Sequence, residues 1–177
     1  MKKNALPHED GPISTIPASI FRSYDIRGVV DRDLKREGVE EIGRAIGSEA
    51  RSRGVSTLVL GRDGRLSSPR LSTALCQGLL AAGIDVIDIG CVPTPLLYFS
   101  AYRLAGGSGV MLTGSHNPPE YNGIKIMLGG KTLFGEAIQD IFRRTVQKDY
   151  SQGSGAIQQQ DVHLSLIHIS EPTRLRR

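Results

Sequence analysis

The 177-residue sequence contains no tryptophan, few aromatic residues and only two cysteines, Cys76 and Cys91. The cysteines belong to no CxxC motif and to no Cys/His set with metal-ligand spacing, which argues against a disulfide framework and a structural zinc site. Because both lie among apolar residues, we predict that both are small core residues.

Long hydrophobic runs are also absent. No stretch approaches the ~20 consecutive apolar residues of a transmembrane helix, and the opening MKKNALPHEDG lacks the apolar segment of a signal peptide. We therefore expect a cytoplasmic protein with no membrane partner.

Basic charge is in excess, but half of the excess lies in one segment. The net charge is +4, and the last fourteen residues, LSLIHISEPTRLRR, contribute +2 through three arginines and one glutamate. This segment resembles a translated sequencing adapter, so we interpret residues 164–177 as a non-native tail; a genuine basic tail that binds an acidic partner is the alternative. The rest of the chain has no basic stripe with interleaved aromatic residues, so we expect no nucleic-acid partner.

Glycine is abundant, with 21 residues, and separates segments of clear periodicity. Apolar residues at helical spacing predict helices at about 39–53, 69–82, 96–104 and 135–148. Apolar or alternating runs predict strands at about 57–61, 84–90, 109–113 and 124–128. Alternating strands and helices are typical of an α/β layer fold with a mainly parallel central sheet.

Composition divides the chain into four parts. Residues 1–19 are polar and proline-containing, which predicts an extended N-terminal lead. Residues 20–150 hold the periodic segments and form the predicted domain. Residues 151–163 are rich in Ser, Gln and Gly and predict a linker, and the tail follows.

The most suggestive loop is TGSHNPP, residues 113–119, directly after a predicted buried strand. Its prolines and glycine predict a rigid turn that exposes the Ser115 hydroxyl, and backbone amides in such a turn can form an anion-binding nest. The serine is then a nucleophile or a phosphoserine. The alternative is a plain turn in which Ser115 and Asn117 hydrogen-bond their own backbone.

A Ser/His hydrolase is a third reading of this loop, and two observations disfavour it. There is no GxSxG motif, and adjacent side chains at a strand end, such as Ser115 and His116, are expected to point apart.

Cationic residues recur in three other segments. FRSYDIRG, residues 21–28, could grip an anionic ester, or it could be a surface strand whose Asp25 and Arg27 pair with other charges. GRDGR, residues 61–65, could hold phosphate or could be a turn in which Asp63 positions an arginine. Lys125 lies between apolar residues and therefore faces solvent or an anionic partner.

Together these segments resemble the α-D-phosphohexomutase family. FRSYDIRG, GRDGR, VPTP (residues 92–95), TGSHNPP and YNGIK (residues 121–125) stand in the family's order and spacing. YDI and TG are similar to the phosphomannomutase/phosphoglucomutase branch, whereas the phosphoglucosamine mutase branch, kept as an alternative, usually shows FGTDGIRG and a SASHNP-like serine loop. The resemblance implies a three-layer α/β/α domain with a mainly parallel, mixed central sheet.

The resemblance also implies a reaction and a set of roles. The reaction interconverts hexose 1-phosphate and 6-phosphate, of mannose or glucose, through a phosphoserine and a hexose 1,6-bisphosphate. Ser115 would carry the phosphate and contact Mg²⁺ through it, and Lys125 and Arg27 would stabilise charge or assist proton transfer. Substrate contacts and loop shape would come from the remaining matched residues, Tyr24, Arg27, His116 and Asn117.

The departures from the family are equally informative. The family has four domains, and its metal loop of DGDGD type, its sugar-recognition loop and its phosphate-binding C-terminal domain have no counterpart here. We therefore expect an N-terminal fragment that lacks turnover by itself, most Mg²⁺ ligands lying in the missing downstream part, and a monomer at full length. A phosphosugar-binding module without chemistry is the other class of function left open.

Overall fold

The computed structural model describes residues 16–162, which form a mixed sheet flanked by helices. The four α-helices are α1 (Arg36–Ser52), α2 (Ser68–Ala81), α3 (Thr94–Leu104) and α4 (Glu136–Gln147). The strands are β1 (Ile26–Val29), β2 (Thr57–Arg62), β3 (Asp85–Cys91), β4 (Gly109–Leu112), β5 (Tyr121–Leu128), β6 (Lys131–Thr132) and β7 (Ile157–Gln159). A 3₁₀ turn, Ala18–Ile20, precedes β1.

The sheet has the order β1-β5-β4-β2-β3-β7, and β6 pairs with β5. Strands β4, β2, β3 and β7 are parallel, while β1, β5 and β6 pair antiparallel. The change of direction falls between β4 and β5 because the eight-residue connection is too short for the crossover that a parallel pair requires. The predicted α/β class and mixed sheet are confirmed.

Alternation along the strands gives the sheet two apolar faces, and the helices form the outer layers. Leu58 and Leu60 of β2 join a large core with buried residues of α1, α2 and α4. Val59, between them, joins a smaller core with Leu97 and other residues of α3. The structure is therefore a three-layer α/β/α sandwich, as expected.

The helices α1 and α2 cross at a pair of glycines. A Cβ added to Gly78 would lie 2.0 Å from the carbonyl oxygen of Glu40, and one added to Gly43 would lie 2.4 Å from that of Leu75. Glycine at both positions lets the two backbones approach closely, which packs both helices onto the same sheet face.

The prediction for the cysteines is half wrong. Cys76 is buried in the core, and burial raises the pKa of its thiol to about 11. Cys91 is exposed at the end of β3. The preceding Gly90 has a positive φ of 72°, which interrupts the alternation of side chains and turns Cys91 outward.

The segment predicted as a linker differs in the structure. Within the described part of residues 151–163, Ile157–Gln159 forms β7 and pairs in parallel with β3. Val162 is 4% exposed and packs in the smaller core. The β7 side chains are exposed, so main-chain hydrogen bonds hold the strand and no hydrophobic pattern announces it.

At the N-terminal end, Ile16 of the predicted lead is 3% exposed and packs in the larger core. Residues 1–15 of the lead and the predicted tail, 164–177, lie outside the described residues. Within residues 16–162, none of the helices has the length and apolar character needed to cross a membrane.

Candidate functional site

The serine loop, residues 113–120, connects β4 to β5 at the C-terminal end of the parallel strands. Ser115 is exposed and has a left-handed backbone with φ of 52°, one of three non-glycine residues with positive φ in the described chain. A serine in this region is uncommon, and such conformations persist only where the surroundings impose them.

Hydrogen bonds within the loop define its shape. The amide of Ser115 donates to Thr113 Oγ1 at 3.0 Å, and both the amide and the side-chain nitrogen of Asn117 donate to the carbonyl of Gly114. Of the turn predicted as an alternative, the Asn117 side-chain bond to the backbone is present, whereas the Ser115 hydroxyl bonds no backbone atom of the described residues and stays exposed. Because the amides of Ser115 and Asn117 are engaged, they are not available for the predicted anion nest.

The prediction that Ser115 and His116 point apart is wrong. Ser115 Oγ lies 3.2 Å from His116 Nδ1, within hydrogen-bond distance. Side chains alternate only in extended backbone, and the positive φ of Ser115 breaks that alternation. His116 is exposed, and among residues 16–162 no carboxylate hydrogen-bonds its ring, so the third member of a hydrolytic triad is missing.

Arg65, from the connection between β2 and α2, reaches into the serine loop. Its guanidinium donates to four carbonyl oxygens, at distances of 2.5 to 3.0 Å. They belong to Ser115, Asn117, Pro118 and Tyr121. The guanidinium therefore organises the backbone of the loop, and its terminal nitrogens are engaged by these carbonyls.

Asp63 connects the same two segments. Its carboxylate accepts from the amides of Arg65 and Gly114 and from the Ser68 hydroxyl, and it lies 3.4 Å from Arg65 Nε. Burial opposes ionisation of Asp63, but these hydrogen bonds, with one from Thr113, outweigh it and lower the pKa of the carboxyl. Of the two readings of GRDGR, the structure shows the turn in which Asp63 positions an arginine.

A cationic group, formed by Arg27 and Lys125, lies where β1 pairs with β5. Asp25 is 6% exposed, and its Oδ2 accepts from Arg27 Nη2 at 2.5 Å and from Lys125 Nζ at 3.3 Å. Arg27 Nη1 also donates to Asn117 Oδ1 at 3.3 Å. Strand pairing thus brings together Arg27, Lys125 and the serine loop, and of the two possibilities for Lys125 the structure shows the anionic partner.

Two further residues of FRSYDIRG behave differently. Tyr24 is 72% exposed, and Arg22 is exposed as well. Tyr24 directly precedes the buried Asp25, so its ring projects from the rim of the cationic group into solvent.

Sequence reasoning missed two polar supports. The sequence suggests Asp25 only as one partner of a possible charge pair, whereas in the structure it holds both cations. Asn122 is fully buried on β5 and donates to the hydroxyls of Ser67 and Ser68 at the start of α2. The available signal for Asn122 is a polar residue in a mostly apolar strand.

The residues present do not fit a magnesium site by themselves. Within residues 16–162 no group of three or more His, Cys, Asp or Glu side chains is arranged to hold a metal ion. Ser115 offers one exposed oxygen, whereas Mg²⁺ prefers several oxygen ligands in octahedral geometry.

A cavity of about 660 Å³ adjoins the loop on the side of α2. Asn117, Arg65 and Arg70 line it, whereas Ser115, Arg27 and Lys125 do not. The exposed hydroxyl and the cationic group therefore lie outside this cavity.

The sequence matches a known family model and several known proteins. The family model for phosphoglucomutase/phosphomannomutase, alpha/beta/alpha domain I, matches residues 18–152. The phosphomannomutase/phosphoglucomutase of Pseudomonas aeruginosa PAO1 is 55% identical over 148 residues, covering 84% of this chain and 32% of that protein. A phosphoglucomutase of Neisseria meningitidis serogroup B is 45% identical over 169 residues, covering 93% and 36%.

A solved structure gives the same result for the fold. The phosphoglucomutase/phosphomannomutase family protein of Burkholderia thailandensis superposes with a TM-score of 0.83 at 46% identity, covering 86% of this chain and 35% of that chain. The chain thus spans about one third of the length of the curated relatives it matches.

Proposed function

Because the chain belongs to the phosphoglucomutase/phosphomannomutase family, within which it matches the α/β/α domain I, we propose that Ser115 carries a phosphate that is exchanged with hexose phosphates. The observation that supports this most directly is the Ser115 hydroxyl, exposed on a loop whose backbone is fixed by Arg65 and adjoined by the cations of Arg27 and Lys125. A phosphate carrier needs an accessible oxygen, a fixed position and nearby positive charge.

The proposed reaction moves phosphate between O1 and O6 of a mannose or glucose phosphate. The Oγ–P bond of phosphoserine breaks as a bond forms between phosphorus and a sugar hydroxyl. The sugar hydroxyl gives up a proton, the leaving Oγ gains one, and the product is a hexose 1,6-bisphosphate. Transfer from the other position of this intermediate back to Oγ regenerates the phosphoserine. The two transfers sum to an isomerisation, so no water or nucleotide is consumed.

The neighbouring side chains supply charge and proton handling. The guanidinium of Arg27 and the ammonium of Lys125 would offset the negative charge of the transferring group. His116 Nδ1, at 3.2 Å from Oγ, would accept a hydrogen bond from the free serine hydroxyl and would take its proton as Oγ bonds to phosphorus. Asn117 would fix the loop shape, since it bonds both Gly114 and Arg27, and the exposed Tyr24 would contact the sugar phosphate.

The chain covers about one third of its relatives' length, and the part that it does not cover affects whether it can turn over substrate. Since the described residues hold no metal cluster, we propose that most Mg²⁺ ligands come from outside this chain and that the phosphoserine contributes one oxygen. The fragment would then accept phosphate slowly and would not complete the isomerisation. In a coupled assay for hexose-phosphate isomerisation, we expect no turnover by the purified chain.

The test of the carrier is intact-mass analysis after incubation with glucose or mannose 1,6-bisphosphate. We expect one covalent phosphate on the wild-type chain, none on Ser115→Ala, and an unchanged phosphate on Ser23→Ala, which removes another exposed serine near the cationic group. Phosphate on Ser115→Ala would contradict the assignment. Sugar-phosphate binding by both wild type and Ser115→Ala, with no covalent phosphate on either, would favour the binding module.

A further inference from the structure

Arg65 differs from the other cations of the site because its ligands are backbone carbonyls. The four carbonyls span Ser115 to Tyr121, whereas Arg65 belongs to a different connection, 50 residues earlier in the chain. Its side chain is 17% exposed, so most of a permanent charge is withdrawn from water. Burying a charge in this way is costly unless its hydrogen bonds are satisfied, and the loop satisfies them.

The shape of the guanidinium matters as much as its charge. It is planar and carries five donors in a fixed fork, so it can bond several carbonyls that face one plane. A lysine ammonium is compact and could not reach carbonyls of Ser115 and Tyr121 together. Arg65 is itself held by Asp63, which bonds its amide and lies near its Nε.

Gly114 shows how closely the guanidinium fits the loop. A Cβ at Gly114 would lie 2.1 Å from Arg65 Cζ, far inside contact distance. Gly114 is not among the glycines with positive φ, so the close approach of Arg65, rather than backbone freedom, accounts for glycine at this position.

We propose that Arg65 is a positioning residue, which holds Ser115 in its left-handed conformation and thereby fixes the direction of the phosphate-carrying hydroxyl. The bond from Arg65 Nη2 to the carbonyl of Ser115 restrains the peptide on one side of the residue. The bond from the Ser115 amide to Thr113 restrains the other side. The consequence for phosphate exchange rests on the proposed function, whereas the consequence for loop geometry does not.

Removal of the guanidinium should release the Ser115 backbone while the fold remains. Misplacing a reacting atom by about 1 Å can reduce a rate about 100-fold. We therefore expect Arg65→Ala and Arg65→Lys to accept phosphate from glucose 1,6-bisphosphate about 10- to 100-fold more slowly than wild type. Added guanidinium, below denaturing concentration, should restore much of the rate in Arg65→Ala and should not affect Arg65→Lys.

The matched control is Arg70→Ala, which removes the same charge from the start of α2. Arg70 pairs with Asp31 and bonds no carbonyl of the loop, so its loss should leave the rate unchanged. Gly114→Ala is a second variant that should reproduce the defect of Arg65→Ala by displacing the guanidinium. Circular dichroism would verify that each variant is folded.

Loop geometry is measured separately by backbone NMR of the 177-residue chain. We expect large shifts and faster hydrogen exchange at the amides of Gly114 and Ser115 in Arg65→Ala, reversed by guanidinium, and no change in Arg70→Ala. A wild-type rate in Arg65→Lys, or unchanged loop amides in Arg65→Ala, would overturn the proposal. If the wild-type chain accepts no phosphate, the proposed function fails, and the NMR result still decides the role of Arg65.

Discussion

Lys125 Nζ lies 3.3 Å from Oδ2 of Asp25, a residue 100 positions earlier in the chain. The antiparallel pairing of β1 with β5 produces this approach. The same oxygen also accepts from Arg27, so a single buried carboxylate compensates two cations beside the serine loop.

Asp25→Asn should lower stability, because it leaves two neighbouring cations with no anion between them. We expect the free energy of unfolding to fall by about 2–3 kcal/mol, measured by urea denaturation. The control is Asp149→Asn, which removes a 64% exposed carboxylate from Arg144 and should cost less than about 1 kcal/mol. Equal effects of the two changes would contradict the bridging role of Asp25.

His116 offers a test of proton handling against loop shape. If His116 Nδ1 exchanges a proton with Ser115 Oγ, then His116→Ala and His116→Gln should both slow phosphate exchange by about 100-fold. Glutamine can accept a hydrogen bond from the serine but cannot relay its proton. Time-resolved intact-mass measurements check this, and a normal rate in His116→Gln would assign His116 to loop shape alone.

Acid sensitivity should depend on Asp33. Hydrogen bonds from Arg32 and from the Val29 amide lower the pKa of Asp33 to about 2, below its ordinary value of 3.8. The stabilisation from this depressed pKa is fully present above the unfolded value and is lost as pH falls from about 4 towards 2.

In urea titrations across that pH range, Asp33→Asn should therefore show a shallower loss of stability than wild type. Arg32→Gln, which removes the main partner of Asp33, should likewise make the loss of stability with falling pH shallower. Arg36→Gln removes an equal charge that bonds Gln77 instead, and it should retain the wild-type slope.

The crossing of α1 and α2 should not tolerate a methyl group at Gly78. A Cβ there meets backbone atoms of Glu40 and Arg44, which cannot move without separating the helices. Gly78→Ala should cost at least about 2 kcal/mol in urea denaturation. In Gly38→Ala the new Cβ meets only the flexible side chain of Ile16, at 3.3 Å, so the effect should stay within about 1 kcal/mol.

The segment after Tyr150 should contribute to stability. A chain ending at residue 150 loses β7 and Val162, which exposes the edge of β3 and part of the smaller core. We expect a lower melting temperature and some self-association on gel filtration, compared with a chain ending at residue 163. Identical behaviour of the two chains would support the linker interpretation.

Local sequence patterns were sufficient to predict the main helices and strands. Helices α1 to α4 and strands β2 to β5 lie within a few residues of the predicted positions, because each buries a face with its own period. Strands β6 and β7 were missed since they are short and have exposed side chains. For β1, the sequence left a strand and an anion-binding segment equally open.

The sequence by itself determined that Ser115 lies in a rigid loop after a buried strand, since the strand pattern and the glycine and prolines of TGSHNPP are local properties. Only the tertiary structure decided what surrounds that serine. The carbonyls bonded by Arg65, the cations shared by Asp25 and the approach of His116 to Ser115 depend on strand pairing and on one positive φ. Contacts between residues 50 to 100 positions apart leave no periodicity in the chain, because they arise only when the sheet assembles.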